Sequence, residues 1–140
     1  MRGQYLTVEY VIFFAIGVIM IIAVYVIFLN VNQTIEKSIT ETQLEMVGEA
    51  ITGAIINVFG ASNSTNSTIY YNLKIPEKLS NCIYSISVTA ENKLELRCVQ
   101  NREMGIETTL YNFNINDGNI IYSTKGFIEI FVKNGVVELK

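Results

Sequence analysis

The stretch Tyr10–Leu29, YVIFFAIGVIMIIAVYVIFL, decides the reading of this chain. No charged or amide side chain interrupts its twenty positions. At 1.5 Å per residue, a helix of that length spans roughly 30 Å, the thickness of a bilayer's hydrocarbon core. A cleaved secretory signal is the competing reading, but such a signal has a shorter apolar core followed by small residues at a cleavage site. Here the run ends in FLNVNQ and a polar, helix-forming segment follows directly. A buried helix of a soluble protein would need a larger core than the remaining residues can supply.

Outward on the N-terminal side stands RGQYLTVEY, which places Glu9 directly against the apolar run. One reading is that Glu9 marks the water boundary. The other is that it pairs with a positive group of a neighbouring subunit, a free α-amine being the obvious candidate, because a carboxylate drawn deeper into an apolar medium needs a partner. Arg2 precedes the span, and Glu36, Lys37, Glu41, Glu45 and Glu49 follow it, which favours a cytoplasmic N-terminus and an outer C-terminal part.

On the C-terminal side the pattern becomes amphipathic. Val31, Ile35, Ile39, Met46, Val47, Ala50, Ile51, Ala54, Ile55 and Val58 recur at three- and four-residue spacing, as on one face of a helix. Glu41, Glu45 and Glu49 form an i, i+4 stripe of like charge, which should face water or a cationic partner. Gly60, ahead of ASNSTNST, is the expected stop. A continuous helix from about Leu6 to Val58 would be roughly 80 Å long.

From Thr68 onward the sequence predicts strands: Thr68–Leu73, Cys82–Thr89, Lys93–Val99, Glu107–Phe113, Asn119–Thr124, Phe127–Val132 and Val136–Leu139. AEN at 90–92 and Asn134–Gly135 are hairpin turns, NDG at 116–118 is a further turn, and Gly126 is a break. The expected arrangement is an antiparallel meander with one apolar face drawn from Ile83, Ile86, Leu94, Leu96, Leu110, Phe113, Ile121, Ile128 or Phe131. A sheet with one apolar face needs a cover, and the amphipathic helix is the available lid. The fold class is therefore α+β, a long N-terminal helix packed on a small antiparallel sheet domain. Cys82 and Cys98 lie near the open end of one hairpin, where they could form a disulfide across adjacent strands in an oxidising compartment; two buried thiols are the alternative. Three N-x-S/T sequons, at Asn32, Asn63 and Asn66, agree with an outer location and mark candidate glycosylation sites.

Composition narrows the chemistry. The 140 residues carry 10 basic and 13 acidic side chains, for a net charge of −3, and no basic cluster, so no nucleic-acid footprint is expected. There is no histidine, and Asp117 is the sole aspartate, which removes a histidine base and the commonest ligand of zinc and iron. Glu91, Glu95, Glu103, Glu107 and Glu129 are scattered, with no calcium-loop spacing, nucleophile elbow or phosphate loop. No enzyme and no cofactor is expected.

RGQYLTVEY followed by the apolar run resembles the N-terminus of an archaeal type IV pilin-like precursor. In that family a short positive leader ends in glycine, a prepilin peptidase cuts after it, and a glutamate stands at the fifth mature position. The resemblance implies a leader at 1–3, a hydrophobic membrane or filament-core helix at 4–29, an amphipathic stalk at 30–59 and an extracellular β domain at 60–140. It marks Gly3 and Gln4 as processing residues and Glu9 as the assembly residue. Counting from Gln4 makes Glu9 sixth and counting from Tyr5 makes it fifth, so cleavage after Gly3 and cleavage after Gln4 both stand. The implied role is a structural subunit of a pilus-like surface filament used for adhesion or surface attachment. It would be held by membrane lipid as a precursor, then assembled as a helical homo-oligomer by pilus machinery, with Glu9 compensating a neighbour's freed amine. A minor pilin, an accessory component of an archaellum or secretion machine, and an archaellin-type motility subunit share the same N-terminus.

Overall fold

The computed structural model describes residues 2–89, 91–110, 113–116 and 119–140, with side chains from residue 8 onward. The first element, α1, is one helix, Arg2–Thr65, followed by eight short strands among the described residues. The chain divides into two compact units, Met1–Glu36 and Lys37–Lys140. In the first, every described side chain is exposed, the large apolar ones included.

The second unit is α+β: the C-terminal part of α1 packs against two four-stranded sheets. Its buried face comprises Thr40, Leu44, Val47, Gly48, Ile51, Ile55, Val58 and Ser62, whose three- and four-residue spacing forms one stripe. The expected lid residues Val47, Ile51, Ile55 and Val58 lie on it, while Met46 and Ala50 face solvent and Leu44 is an added core position.

The helix runs through Gly60, which the sequence marks as its stop, and ends at Thr65. A hydrogen-bonded cap explains the extra turn. Asn66 takes a left-handed conformation (φ 49°), the Ser67 N–H donates to the Ser62 carbonyl at 3.3 Å, and the Ser62 hydroxyl donates to the Ser67 carbonyl at 2.6 Å. This is a Schellman-type ending in which asparagine does the work usually given to glycine.

The strands are β1 (Ile69–Lys74), β2 (Tyr84–Thr89), β3 (Lys93–Cys98), β4 (Gly105–Thr109), β5 (Asn114–Ile115), β6 (Ile121–Tyr122), β7 (Phe127–Lys133) and β8 (Val136–Leu139). One sheet has the order β1-β7-β8-β5 and the other β4-β3-β2-β6. All pairs are antiparallel except β5 with β8. The expected single meander is thus replaced by two sheets: β1 pairs with β7, far along the chain, and β6 pairs with β2. The switch lies at Ser123–Lys125, a 3-10 turn closed by Gly126 at φ 74°, which shortens the expected strand at 119–124 and sends the chain into the other sheet. Strand β4 begins earlier than expected because Gly105 sits against β3; a Cβ there would lie 2.8 Å from Arg97 Cγ and 2.9 Å from the Leu96 carbonyl oxygen.

Both expected hairpins form. Thr89 pairs with Lys93, and Asn92 (φ 55°) returns its N–H to the Thr89 carbonyl at 3.0 Å. Lys133 pairs with Val136 around Asn134 and Gly135, both at positive φ, the geometry of a two-residue primed turn. The expected turn at NDG and the Ala90 position of the first hairpin fall on 117–118 and 90, outside the described residues.

Leu44, Ile51 and Ile55 of α1 share one core with Tyr84, Ile86, Leu94 and Leu96 of one sheet and Ile128, Ile130 and Val132 of the other. Ile86, Leu94, Leu96, Leu110, Ile121 and Ile128 are buried as expected, whereas Phe131 points to the outer face and Ile83 and Phe113 are half-buried. Phe113 packs edge-on to Phe59 of α1, with centroids 4.9 Å apart.

Candidate functional site

The residues bearing on function fall into three places. The first is the apolar part of α1. Among the described residues it is the one helix long and apolar enough to cross a membrane. Its side chains are uncovered all round, Phe14 being 75 % and Ile21 71 % exposed. Fourteen of the twenty residues from Tyr10 to Leu29 are Leu, Ile, Phe or Val. At about 0.3–0.6 kcal/mol each, their transfer to hydrocarbon is favourable by about 4–8 kcal/mol. By length and composition such a helix is able to span a bilayer. Gly17 and Ala15 interrupt the bulky side chains, and nothing within 4 Å would meet a Cβ at Gly17.

Glu9 stands at the head of this surface, exposed and without an ion pair to any described residue. It is the only charged residue between Arg2 and Glu36. Carried into a low-dielectric bundle, its carboxylate would be costly unless matched by a cation, so the partner's position would fix the helix register. Gly3 and Gln4, where the sequence leads one to expect processing, lie outside the residues whose side chains are described.

The second place is the disulfide. Cys82 and Cys98 are joined, with their Cα atoms 5.7 Å apart, and both are buried. Cys98 closes β3, and Cys82 lies two residues ahead of β2, bridged to Leu79. The link fastens the open end of the β2–β3 hairpin to the loop at 75–82. The same loop is held by a buried polar cluster. The Tyr84 hydroxyl donates to the Pro76 carbonyl at 2.7 Å, and the Ser123 hydroxyl donates to the Glu77 carbonyl at 2.7 Å while accepting the Tyr84 N–H at 3.2 Å. Burial pushes the Tyr84 phenol up to about 12, since the ionised ring loses its solvation.

The third place is the sequon region. Asn63 and Asn66 are exposed and border one polar cleft of about 350 Å³, Asn66 on the turn that ends α1. Asn32 is exposed on α1 in the first unit.

Two surface features emerge only on folding. Glu107 of β4 comes to face Glu41 and Glu45 across an open groove. Tyr70, Phe127 and Phe131 gather on the outer face of β1 and β7. Strand alternation separates the two faces of β1 and β7 without naming which is the outer one, and Phe131, expected in the core, lies on the outer face. Among the described residues, no three acidic or sulfur side chains are grouped so as to hold a metal ion.

The chain matches no family model, no curated protein and no solved structure.

Proposed function

We propose that this chain is a structural subunit of an archaeal type IV pilus-like surface filament, serving adhesion or surface attachment. The observation that carries the reading is the uncovered twenty-residue apolar helix with a single carboxylate at its head, continuous in sequence with a disulfide-fastened α+β domain. A span without charged or amide side chains offers no row of ionisable groups to conduct an ion, and its lipid-like surface suits helix-on-helix packing. Small residues such as Ala15 and Gly17 allow close approach. The disulfide suits an oxidising location, so the precursor would sit with its N-terminus in the cytoplasm and its domain outside. Removal of the leader by a prepilin peptidase would free an α-amine close to Glu9, and the carboxylate of one copy would then answer the amine of the next.

The test is expression of the full precursor with its peptidase and assembly machinery, with mass spectrometry of the mature N-terminus. The reading expects a processed N-terminus at Gln4 or Tyr5 and polymer that is lost when Glu9→Ala is introduced but processing is intact. An unprocessed chain, or equal polymer yield from the Glu9→Ala chain, would overturn it.

A further inference from the structure

The outer face of the sheet β4-β3-β2-β6 carries a trough of about 450 Å³ that none of the places above uses. Its floor is Ser85 and Ser87 of β2. Burial alternates along β2 and β3, so Tyr84, Ile86, Leu94 and Leu96 point into the core and the residues between them point outward. Ser85 sits opposite Arg97 on one side and Tyr122 on the other, and Ser87 sits opposite Glu95. Two small side chains on the central strand therefore lie between taller ones on both neighbours. Adjacent strands are about 4.8 Å apart, so the walls on β3 and β6 stand roughly 10 Å from each other.

The walls differ in chemistry. On the β3 side, Arg97 donates through Nε to Glu95, and its Nη2 lies 3.9 Å from Glu107. On the β6 side, Tyr122 is 52 % and Ile120 61 % exposed, with the buried Ile121 between them. Arg102, from the loop after β3, borders the same trough and has no ion pair with a described residue. The Ser85 hydroxyl donates to the Arg97 carbonyl at 3.3 Å, while the hydroxyls of Ser87 and Tyr122 have no hydrogen-bond partner among the described residues. Charge does not select the occupant: Arg97 and Arg102 are set against Glu95, Glu103 and Glu107, which favours neither a polyanion nor a polycation. An extended peptide fits poorly, because β2 is paired on both sides at Ser85 and Ile86 and offers no free backbone edge there. The surface suits a ligand with an apolar face and a rim of neutral hydrogen-bonding groups, and a sugar ring is such a ligand. Its C–H face can lie on the Tyr122 ring and Ile120. Its hydroxyls, each both donor and acceptor, can meet the Ser87 hydroxyl, the second carboxylate oxygen of Glu95 and the Arg102 guanidinium.

We propose that this trough binds a neutral saccharide, with Tyr122 as the stacking residue and Ser87, Glu95 and Arg102 as its hydrogen-bonding groups. The site lies wholly within the second unit. It supplies a ligand class for the adhesion role, yet the binding step does not require assembly and stands or falls apart from the filament reading.

The full chain, held in a zwitterionic detergent without sugar headgroups, is tested on an array of immobilised neutral oligosaccharides of hexoses, N-acetylhexosamines and deoxyhexoses, with uronic-acid oligosaccharides beside them. Binding to at least one neutral class is expected. Tyr122→Ser removes the stacking ring and Ser87→Val fills the floor, and each should weaken that binding by about tenfold or more. Tyr122→Phe keeps the ring and should lose less than Tyr122→Ser. Tyr70→Ser, on the outer face of the other sheet and 77 % exposed in the native chain, should bind as wild type. Circular dichroism and an intact disulfide check the fold, and Ile120→Ser replaces Tyr122→Ser if that variant fails the check, with the same loss expected. No binding to any neutral class, or binding confined to the uronic-acid oligosaccharides, overturns the proposal. So does neutral binding that survives both trough substitutions, or that is lost in the Tyr70 variant instead. None of these outcomes bears on the filament reading, which is decided by processing and polymer yield.

Discussion

Replacing Ile51 with alanine tests whether the second half of α1 is part of the folded domain or a stalk beside it. Ile51 is fully buried at the centre of the helix stripe, flanked by Val47 and Ile55. Three methylene equivalents are lost, and at about 0.8 kcal/mol each the transfer cost is about 2.4 kcal/mol. Incomplete collapse of the cavity brings the expected loss to about 2–5 kcal/mol. For a domain of this size, that lowers the melting temperature by at least about 10 °C. The assay is thermal and urea unfolding of the full chain in detergent micelles, followed by near-ultraviolet circular dichroism, which reports the tyrosines because the chain has no tryptophan. Met46→Ala is the control: Met46 is 63 % exposed on the same helix, and its change should stay within about 0.5 kcal/mol. Equal effects of the two substitutions would refute the packing of α1 on the sheets.

Other substitutions probe separate contacts. A Cβ at Gly48 would lie 3.0 Å from Ile106 Cδ1, a movable side-chain end, and 3.3 Å from Thr108 Oγ1. Gly48→Ala should therefore stay within about 1 kcal/mol of wild type, helix propensity offsetting the crowding, whereas Gly48→Val should cost about 1–3 kcal/mol in urea titration. The disulfide closes a sequence separation of 16, so Cys82→Ser with Cys98→Ser should shift the urea midpoint by a loss of about 3 kcal/mol. Tyr84 holds its proton to about 12 in the fold against 10.0 for an ordinary tyrosine. Between those values the unfolded chain binds fewer protons, so stability is full below pH 10 and falls as pH rises towards 12. Tyr84→Phe should lower stability at neutral pH by about 1–3 kcal/mol, through the orphaned Pro76 carbonyl, yet flatten that alkaline loss in denaturation curves.

How far the sequence reveals the fold differs from element to element. The helix lid is visible because Val47, Ile51, Ile55 and Val58 repeat with the period of a helix, and the Asn134–Gly135 hairpin because that pair suits two positive φ angles. The pairing of β1 with β7 is not visible, because period-two alternation identifies a strand and its faces without naming its partner. The end of α1 is misplaced because Gly60 is the stronger local signal, while the cap at Asn66 depends on Ser62 being turned inward. Phe131 shows the same limit: its hydrophobicity argues for the core, but its register opposite Tyr70 places it outside. Of the candidate site, the apolar run, Glu9 and the cysteine pair are legible residue by residue. The groove of Glu41, Glu45 and Glu107 is not, since it joins side chains far apart in the chain across a helix–strand contact.

Electron imaging of filaments sheared from cells producing this chain, with helical reconstruction, addresses the central proposal most directly. The expected density is a bundle of residues 10–29 from successive copies at the filament axis, with the disulfide-bearing domains on its surface and Glu9 beside a neighbour's N-terminus. Filaments lacking this chain, with the chain itself recovered as a monomer in the membrane fraction, would contradict it.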